Sequence, residues 1–388
     1  MPRFPNVAST SDGLTDRVFS RLAARAKDRG GRVYPLHVGD TWLEPLDAAR
    51  AEAQRTESYP RLHNYAPVQG EPALIDAILR HVERRAGVRL DRELVQVMSG
   101  ATAGLSVIAD ALIEPGEEVL IPAPFWPLIR GTVRRRGGVA VEVPFFDRLS
   151  ETGFDPEREL EARVTERTVA IYVNTPHNPT GAMLSERALA AIARVAARHD
   201  LWILSDEVYE DLYFTSAPPE PVWARPDFRS RAIVVHSLSK AYGLAGARVG
   251  FAHGPADAMT AIRGVQTFST YCAPRPMQLG AARALDEGAA WLAEARRLYG
   301  DAAQRTAEAF GVEAPAGGTF LFVDVRPHRQ EGEDTMGFLE RCLDEGVLLT
   351  PGSASGTDYE GWARVCFTSV PPSDLRDALA RVRRVLSS

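Results

Sequence analysis

Cysteine is scarce in this chain of 388 residues, which has three: Cys272, Cys342 and Cys366. An odd number without metal-ligand spacing gives no disulfide framework and no metal site, so we expect buried thiols in a reducing compartment. No apolar run reaches the ~18 residues that a membrane helix needs. The first stretch, MPRFPNVASTSDG, lacks the apolar segment of a secretory signal. These absences predict a cytoplasmic protein with no membrane partner.

The chain also has no strong excess of positive or of negative charge. The chain has 45 Lys and Arg against 51 Asp and Glu, a formal net charge of -6. This balance argues against nucleic acid as the main partner, and the basic runs at 21–32 and 134–136 are expected to be solvated faces. No G-x-G-x-x-G follows a strand and no G-x-x-x-x-G-K-[ST] precedes Ser237. A nicotinamide dehydrogenase and a P-loop enzyme are therefore unsupported.

The middle of the chain alternates short apolar runs with amphipathic patterns, which predicts βαβ units and a mainly parallel sheet. Residues 185–200 carry apolar residues at helical spacing, with Ser185 as the predicted N-cap. After about residue 285 longer helical stretches lead to GGTFLFVDV and ARVCFTSV, which indicates a smaller α+β domain completed by the N-terminal segment. Six strands are predicted, at 94–98, 118–122, 139–143, 169–173, 201–205 and 232–236.

Polar residues follow four of these strands, and ligands of open α/β sheets bind outside the carboxyl ends of strands. The first strand leads into SGATAGL, a candidate phosphate-binding helix start. The others lead to Asn178, with Asn178–Pro179 a candidate cis bond, to Asp206 with Tyr209, and to Lys240. Each has an ordinary explanation on its own, such as a tight turn, a rigid loop, a helix cap or a surface lysine. Four such groups on one rim indicate a site.

An amine, a carboxylate, a phenol, an amide and an anion site together match a phosphorylated pyridine aldehyde. Lys240 is suited to form an imine with the aldehyde, and Asp206 to pair with the ring nitrogen and keep it protonated. Tyr209 and Asn178 are expected to hydrogen-bond the ring oxygen, and Trp126 to stack on the ring unless it is a core residue. The expected phosphate-binding residues are Gly100, Ala101, Thr102, Ser237 and Arg248.

Four segments resemble the signature segments of class I/II aminotransferases, the fold-type I pyridoxal-phosphate enzymes of the aspartate aminotransferase superfamily: PVQGEPALIDAI, NTPHNPTG, SDEVYEDL and SLSKAYGLAGARVGF. Their order and spacing match from about residue 33 to the C terminus. The resemblance implies an α/β fold, with a mainly parallel seven-stranded sheet sandwiched by helices and a smaller α+β domain. We expect an N-terminal arm and part of the small domain at 1–45, the cofactor-binding domain at 46–285 and the small domain at 286–388.

The resemblance also implies residue roles and partners. Lys240 would carry the proton between the substrate α-carbon and the cofactor, and Arg364 would clamp the substrate α-carboxylate, unless it is a strand arginine facing solvent. Gly39 would lie beside the substrate, and Tyr65 would reach the phosphate of the neighbouring subunit. The implied cofactor is pyridoxal 5'-phosphate, the substrates are an amino acid and a 2-oxo acid, and the implied assembly is a homodimer with shared active sites.

The sequence departs from the family after Gly39, where it reads GDTWLEP. Trp42 and Asp40 occupy positions that often contact the substrate side chain in this family. Trp42 is therefore predicted to bind substrate, and Asp40 slightly favours a substrate with a cationic side chain. No arginine is clearly placed to read a distal carboxylate, which argues against a dedicated aspartate enzyme. We predict a ping-pong aminotransferase. Elimination, replacement, cyclisation or oxidation of an amino acid stays open, as does a non-catalytic binding protein on this scaffold.

Overall fold

The computed structural model describes residues 20–387, so residues 1–19 of the predicted N-terminal arm lie outside the described residues. No helix in this part of the chain is both long and apolar enough to cross a membrane. The helices are α1 (Ser20–Asp28), α2 (Pro72–Ala86), α3 (Ala101–Leu112), α4 (Pro127–Arg135), α5 (Pro156–Glu161), α6 (Glu186–Arg198), α7 (Ala256–Ser269), α8 (Arg275–Glu287), α9 (Ala289–Phe310), α10 (Thr335–Asp344) and α11 (Pro372–Leu386). The strands are β1 (Val95–Met98), β2 (Glu118–Ala123), β3 (Val139–Pro144), β4 (Thr168–Asn174), β5 (Trp202–Asp206), β6 (Ala232–Ser237), β7 (Gly250–His253), β8 (Phe320–Asp324), β9 (Thr350–Pro351) and β10 (Trp362–Cys366).

The larger sheet has seven strands in the order β1-β7-β6-β5-β4-β2-β3. Strands β2 to β6 pair in parallel, whereas β7 is antiparallel to both β1 and β6. The mainly parallel seven-stranded sheet is thus confirmed, and the six predicted strands are present. Strand β7 is absent from the prediction because its four residues, GFAH, begin with glycine and end with histidine and so form no continuous apolar run. It separates β1 from β6, so the four predicted strand ends are not all neighbours.

Both faces of the larger sheet are covered, which explains why its central strands are apolar throughout. One face packs with α2, α6 and α8, and the other packs with α3 and α7. Helix α6 begins after Ser185, whose hydroxyl accepts the N–H of Ala188 at 3.3 Å, as its predicted N-cap role requires. The helices hold β4, β5 and β6 so that their carboxyl ends share one edge.

The smaller sheet is antiparallel, in the order β8-β10-β9. Its core combines α10, α11 and the end of α9 with Leu22, Tyr34 and Leu36 from the N-terminal segment. Helix α9 joins the two cores, because its first half packs on the larger sheet and its second half on the smaller one. The domain bounds at residues 45 and 285 stay a prediction.

The cysteines only partly follow their prediction. Cys342 and Cys366 are buried in the region of the smaller sheet, but Cys272 is partly exposed. The difference arises because Cys272 lies in the short turn between α7 and α8 rather than inside an element.

Candidate active site

A cavity of about 320 Å³ lies at the carboxyl ends of β4, β5 and β6. These strands end at Asn174, Asp206 and Ser237, and all three residues line it. Its volume is within the range of small-molecule sites. Most of the predicted site residues line this cavity: Gly39, Ala101, Thr102, Trp126, Asn178, Asp206, Tyr209, Ser237, Lys240, Arg248 and Arg364.

Lys240 lies three residues beyond β6 and lines the cavity. Its Nζ donates a hydrogen bond to the carbonyl oxygen of Gly39. Burial lowers the pKa of Lys240, because an ammonium loses its hydration there. A lowered pKa makes the neutral amine more accessible, and the neutral amine is the nucleophile.

Asp206 is the last residue of β5, and it is buried. Its Oδ2 accepts the hydroxyl of Tyr172 at 2.6 Å, and its Oδ1 accepts the N–H of Val208 at 3.4 Å. Burial raises the pKa of this carboxyl to about 6. Turns rather than a helix follow at 207–211, so Asp206 is not a helix cap. A buried carboxylate held by neutral donors suits a cationic ligand group.

Arg364 lies on β10 with only 5% of its surface exposed, so it does not face solvent. Its Nη1 donates to Oδ1 of Asn178 at 3.0 Å and its Nη2 to the carbonyl oxygen of His37 at 3.1 Å. The guanidinium stacks on the ring of Phe320 at 4.1 Å, and its Nε has no partner among the described residues. Burial lowers the pKa of Arg364. A buried cation with neutral acceptors favours an anion in the cavity.

A second candidate anion site is the start of α3, where no side chain caps the helix. Gly100 precedes the helix with φ 82°, and a Cβ there would lie 2.5 Å from Nη2 of Arg248. Glycine therefore lets the guanidinium of Arg248 approach the free N–H groups of the helix start. An exposed guanidinium beside a helix N-terminus is a good site for a phosphate group.

Three predicted residues are not among those that line this cavity: Gly100, which directly precedes the lining residue Ala101, Trp42 and Tyr65. The backbone N–H of Trp42 donates to the carbonyl oxygen of Thr368 at 2.9 Å, and its indole ring packs against the core of the larger sheet. Its ring is therefore outside the cavity lining, and the contact of Trp42 with substrate stays a prediction. Tyr65 is 82% exposed, and its ring centroid lies 5.2 Å from that of Tyr271. Tyr65 lines a separate surface depression. Asp40 is also outside the cavity, exposed and bonded to the N–H of Thr41.

Several residues of the site, or in contact with it, were not predicted from the sequence. Tyr172, which holds Asp206, sits in the middle of a buried strand and resembles an ordinary core residue in the sequence. Phe320 lies in GGTFLF, and a Cβ on Gly39 would be 2.4 Å from its ring, which explains the glycine at that position. The only signal for Phe320 was the glycine pair before it. The further lining residues include His37, Val38, Leu105, Pro127, Leu128, Asn174, Val208, Ser239 and Ala245.

Comparison with known proteins agrees with this geometry. The family model described as aminotransferase class I and II matches residues 32–382. The aspartate/prephenate aminotransferase of Thermus thermophilus is 33% identical over 375 residues, 94% of each chain. The arginine–pyruvate transaminase of Pseudomonas aeruginosa is 32% identical over 370 residues, 93% of this chain and 92% of that protein.

Solved structures show the same likeness over the whole fold. The N-succinyldiaminopimelate aminotransferase of Mycobacterium tuberculosis superimposes with a TM-score of 0.89 at 29% identity, covering 98% of this chain and 100% of that one. The aspartate aminotransferase of Thermus thermophilus also gives 0.89, at 26% identity, covering 98% and 99%. The family depends on pyridoxal phosphate. The chain belongs to the class I and II aminotransferases and has their fold-type I architecture.

Proposed function

We propose that this aminotransferase moves an amino group between an L-amino acid and a 2-oxo acid in two half-reactions at the cavity described above. One observation carries the proposal: a lysine of lowered pKa, a buried carboxylate and a buried arginine with neutral partners line the same cavity. Pyridoxal phosphate supplies a cationic ring nitrogen for Asp206, a phosphate for the start of α3 and an aldehyde for Lys240. The residues present therefore fit this cofactor.

Each part of the cofactor has residues suited to hold it. Asp206 would bind the ring nitrogen, Asn178 and Tyr209 the ring oxygen, and Trp126 one ring face. When bound, the cofactor withdraws electrons from the substrate α-carbon and so makes its proton removable. The groups that would hold the phosphate are Gly100, Ala101, Thr102, Ser237 and Arg248.

The protein side chains then position the substrate and move its proton. Arg364 would bind the α-carboxylate in a two-point contact, because its buried guanidinium has hydrogen-bonding capacity left. As a neutral amine, Lys240 would take the proton from the substrate α-carbon and would carry it to the cofactor. Asp206, with a pKa of about 6, is ionised at neutral pH. Burial raises the pKa of Tyr209, so its phenol stays protonated and can donate a hydrogen bond.

Two chains are proposed to form a homodimer in which Tyr65 serves the neighbouring site. The support is the exposure of two aromatic rings in contact with each other, Tyr65 at 82% and Tyr271 at 44%. Mixed dimers of Lys240→Ala and Tyr65→Ala chains test this. If Tyr65 acts across the interface, one site of each mixed dimer keeps both residues and full activity. If Tyr65 acts within its own chain, neither site of the mixed dimer keeps both residues.

The attachment of the cofactor gives the direct test. The sequence contains two lysines, Lys27 and Lys240, and Lys27 is exposed on α1. Borohydride reduction of protein loaded with pyridoxal phosphate should add the reduced cofactor mass to the peptide of Lys240. The peptide of Lys27 is the internal control. Labelling at Lys27 alone, or no labelling, would refute the assignment.

Turnover must then be tested with and without a 2-oxo acid. Transamination requires the acceptor for repeated turnover, because the first half-reaction leaves the amino group on the enzyme. Continued turnover without acceptor, with release of ammonia or a cyclised product, would instead show one of the other reactions of this fold.

A further inference from the structure

The charged groups of the cavity are few, and the proposed function uses each of them. Among the described lining residues the cations are Lys240, Arg248 and Arg364, and the carboxylate is Asp206. The proposed function assigns them to the amine chemistry, the phosphate, the α-carboxylate and the ring nitrogen. None of these four is left to pair with a charged substrate side chain.

Two further titratable groups lie near the cavity, and neither supplies that charge. The imidazole of His37 lines the cavity, and burial beside Arg364 lowers its pKa to about 4, so it is neutral at pH 7. Asp40 is exposed, its carboxylate accepts the N–H of Thr41 at 2.9 Å, and it does not line the cavity. Neither group therefore places a carboxylate on the cavity lining, and the charge of Asp40 acts on Lys240, whose pKa it raises against the effect of burial.

The rest of the wall is largely apolar. Its larger apolar side chains include Val38, Leu105, Trp126, Pro127, Leu128 and Phe320. Val38 is 47% exposed and Leu128 is 49% exposed, whereas most large apolar side chains of this chain are buried. Two exposed aliphatic side chains on a cavity wall offer a surface that an apolar group can cover.

We propose that the substrate side chain is apolar, an aliphatic or aromatic group that packs on Val38 and Leu128 while Arg364 binds the α-carboxylate. The inference rests on the proposed function for the role of Arg364. A charged side chain would lose hydration against this wall without gaining a partner, whereas an apolar one gains by leaving water. The residues that decide specificity are thus Val38 and Leu128.

The first test uses the cofactor-loaded protein and the half-reaction with the amino donor, followed by absorbance without any acceptor. Leucine and phenylalanine should react about 10- to 200-fold faster than alanine in second-order rate constant. Aspartate and arginine should be slower than both. The proposal would be overturned if aspartate or arginine reacted faster than leucine and phenylalanine. That result would also follow if a second copy of the chain supplied a charged group to the cavity.

A binding measurement separates this inference from the proposed function. Calorimetry on the loaded protein compares 3-phenylpropionate, a carboxylate with an apolar tail, with succinate, a carboxylate with a charged one. If no donor reacts, transamination fails, but tighter binding of phenylpropionate would still support the apolar wall. Tighter binding of succinate would overturn it.

A charge placed in the wall provides the matched variant. Leu128→Arg should raise the aspartate-to-leucine ratio of rate constants at least tenfold. The control is Val312→Arg, because Val312 is 43% exposed after α9 and does not line the cavity. An unchanged ratio in Leu128→Arg, or an equal shift in the control, would contradict the role of Leu128.

Discussion

The guanidinium of Arg364 donates a hydrogen bond of 3.0 Å to the amide oxygen of Asn178, and this contact joins the smaller sheet to the loop after β4. A second bond from Arg364 reaches the carbonyl oxygen of His37, at 3.1 Å. Three distant segments of the chain thus meet at one buried cation. Because both acceptors are neutral, the charge is left for an anionic ligand to balance.

Replacing Arg364 should separate stability from function. We expect Arg364→Met to lower kcat/KM by about 30-fold to several thousandfold, the effect of removing one partner of a buried charged contact, ~2–5 kcal/mol. The melting temperature should stay unchanged or rise, because burying a cation without a carboxylate partner makes the free energy of folding less favourable. Steady-state kinetics and thermal unfolding of the same preparations check this. A large loss of stability would show that Arg364 is mainly structural.

Gly100→Ala tests the phosphate site. The new Cβ would lie 2.5 Å from Nη2 of Arg248, at a φ of 82°, so the guanidinium must move away from the start of α3. Pyridoxal phosphate should bind about tenfold more weakly or worse. Gly87→Ala is the control, because Gly87 also has positive φ, 65°, but has open space around it. That variant should lose about 1 kcal/mol of stability and bind the cofactor normally. Equal affinity in both variants would argue against the site.

Asp206→Asn removes the charge proposed to face the ring nitrogen. The variant should retain the cofactor and fold, because the amide can replace the carboxylate in shape. Its turnover should fall at least about a hundredfold, since a positioned charge at a reacting group is commonly worth that much. Cofactor content by absorbance and single-turnover rates measure the two effects. Rates close to wild type would contradict the role of Asp206.

Tyr172→Phe should shift the acidic limb of the pH profile. The hydroxyl of Tyr172 bonds to Asp206 at 2.6 Å and favours the ionised carboxylate, which counteracts burial. Without it the pKa of Asp206 should rise above about 6, so activity should be lost at a higher pH as the solution is acidified. The loss at neutral pH should be about fivefold, the net value of one hydrogen bond, ~1 kcal/mol. An unmoved limb in kcat/KM would show that the bond has no electrostatic effect.

His177 should make the fold sensitive to acid. It is buried and stacked on Phe146, and burial holds its pKa well below the usual value of 6.5. As the pH falls below about 6.5 the unfolded chain binds a proton there and the folded chain does not, so stability is lost by up to about 1.4 kcal/mol per pH unit.

The measurement is urea unfolding of wild type and His177→Asn between pH 7.5 and about pH 5. The difference between them isolates this histidine, because the other titrating groups are common to both proteins. The wild type should lose stability with acid faster than the variant. Parallel pH profiles would show that His177 is protonated in the folded state.

Much of the architecture follows from short stretches of sequence. The six predicted strands and the Ser185 cap depend on apolar spacing and on residue types within a few positions, which act locally. The residues at the strand ends, Asp206 and Lys240 among them, could also be placed on one edge, because parallel strands end on the same side. The short antiparallel β7 could not be found this way, since its pairing with β1 and β6 is a property of the sheet.

Local sequence was enough to predict six of the seven strands of the larger sheet, the helix after Ser185 and the chemical groups at the strand ends. The tertiary structure alone decided how those groups meet. Lys240 bonds to Gly39 across 201 positions and Arg364 to Asn178 across 186, and Trp42 is held away from the cavity by core packing. The physical reason is that such contacts depend on how whole elements pack, and residue spacing carries no record of which surfaces come together.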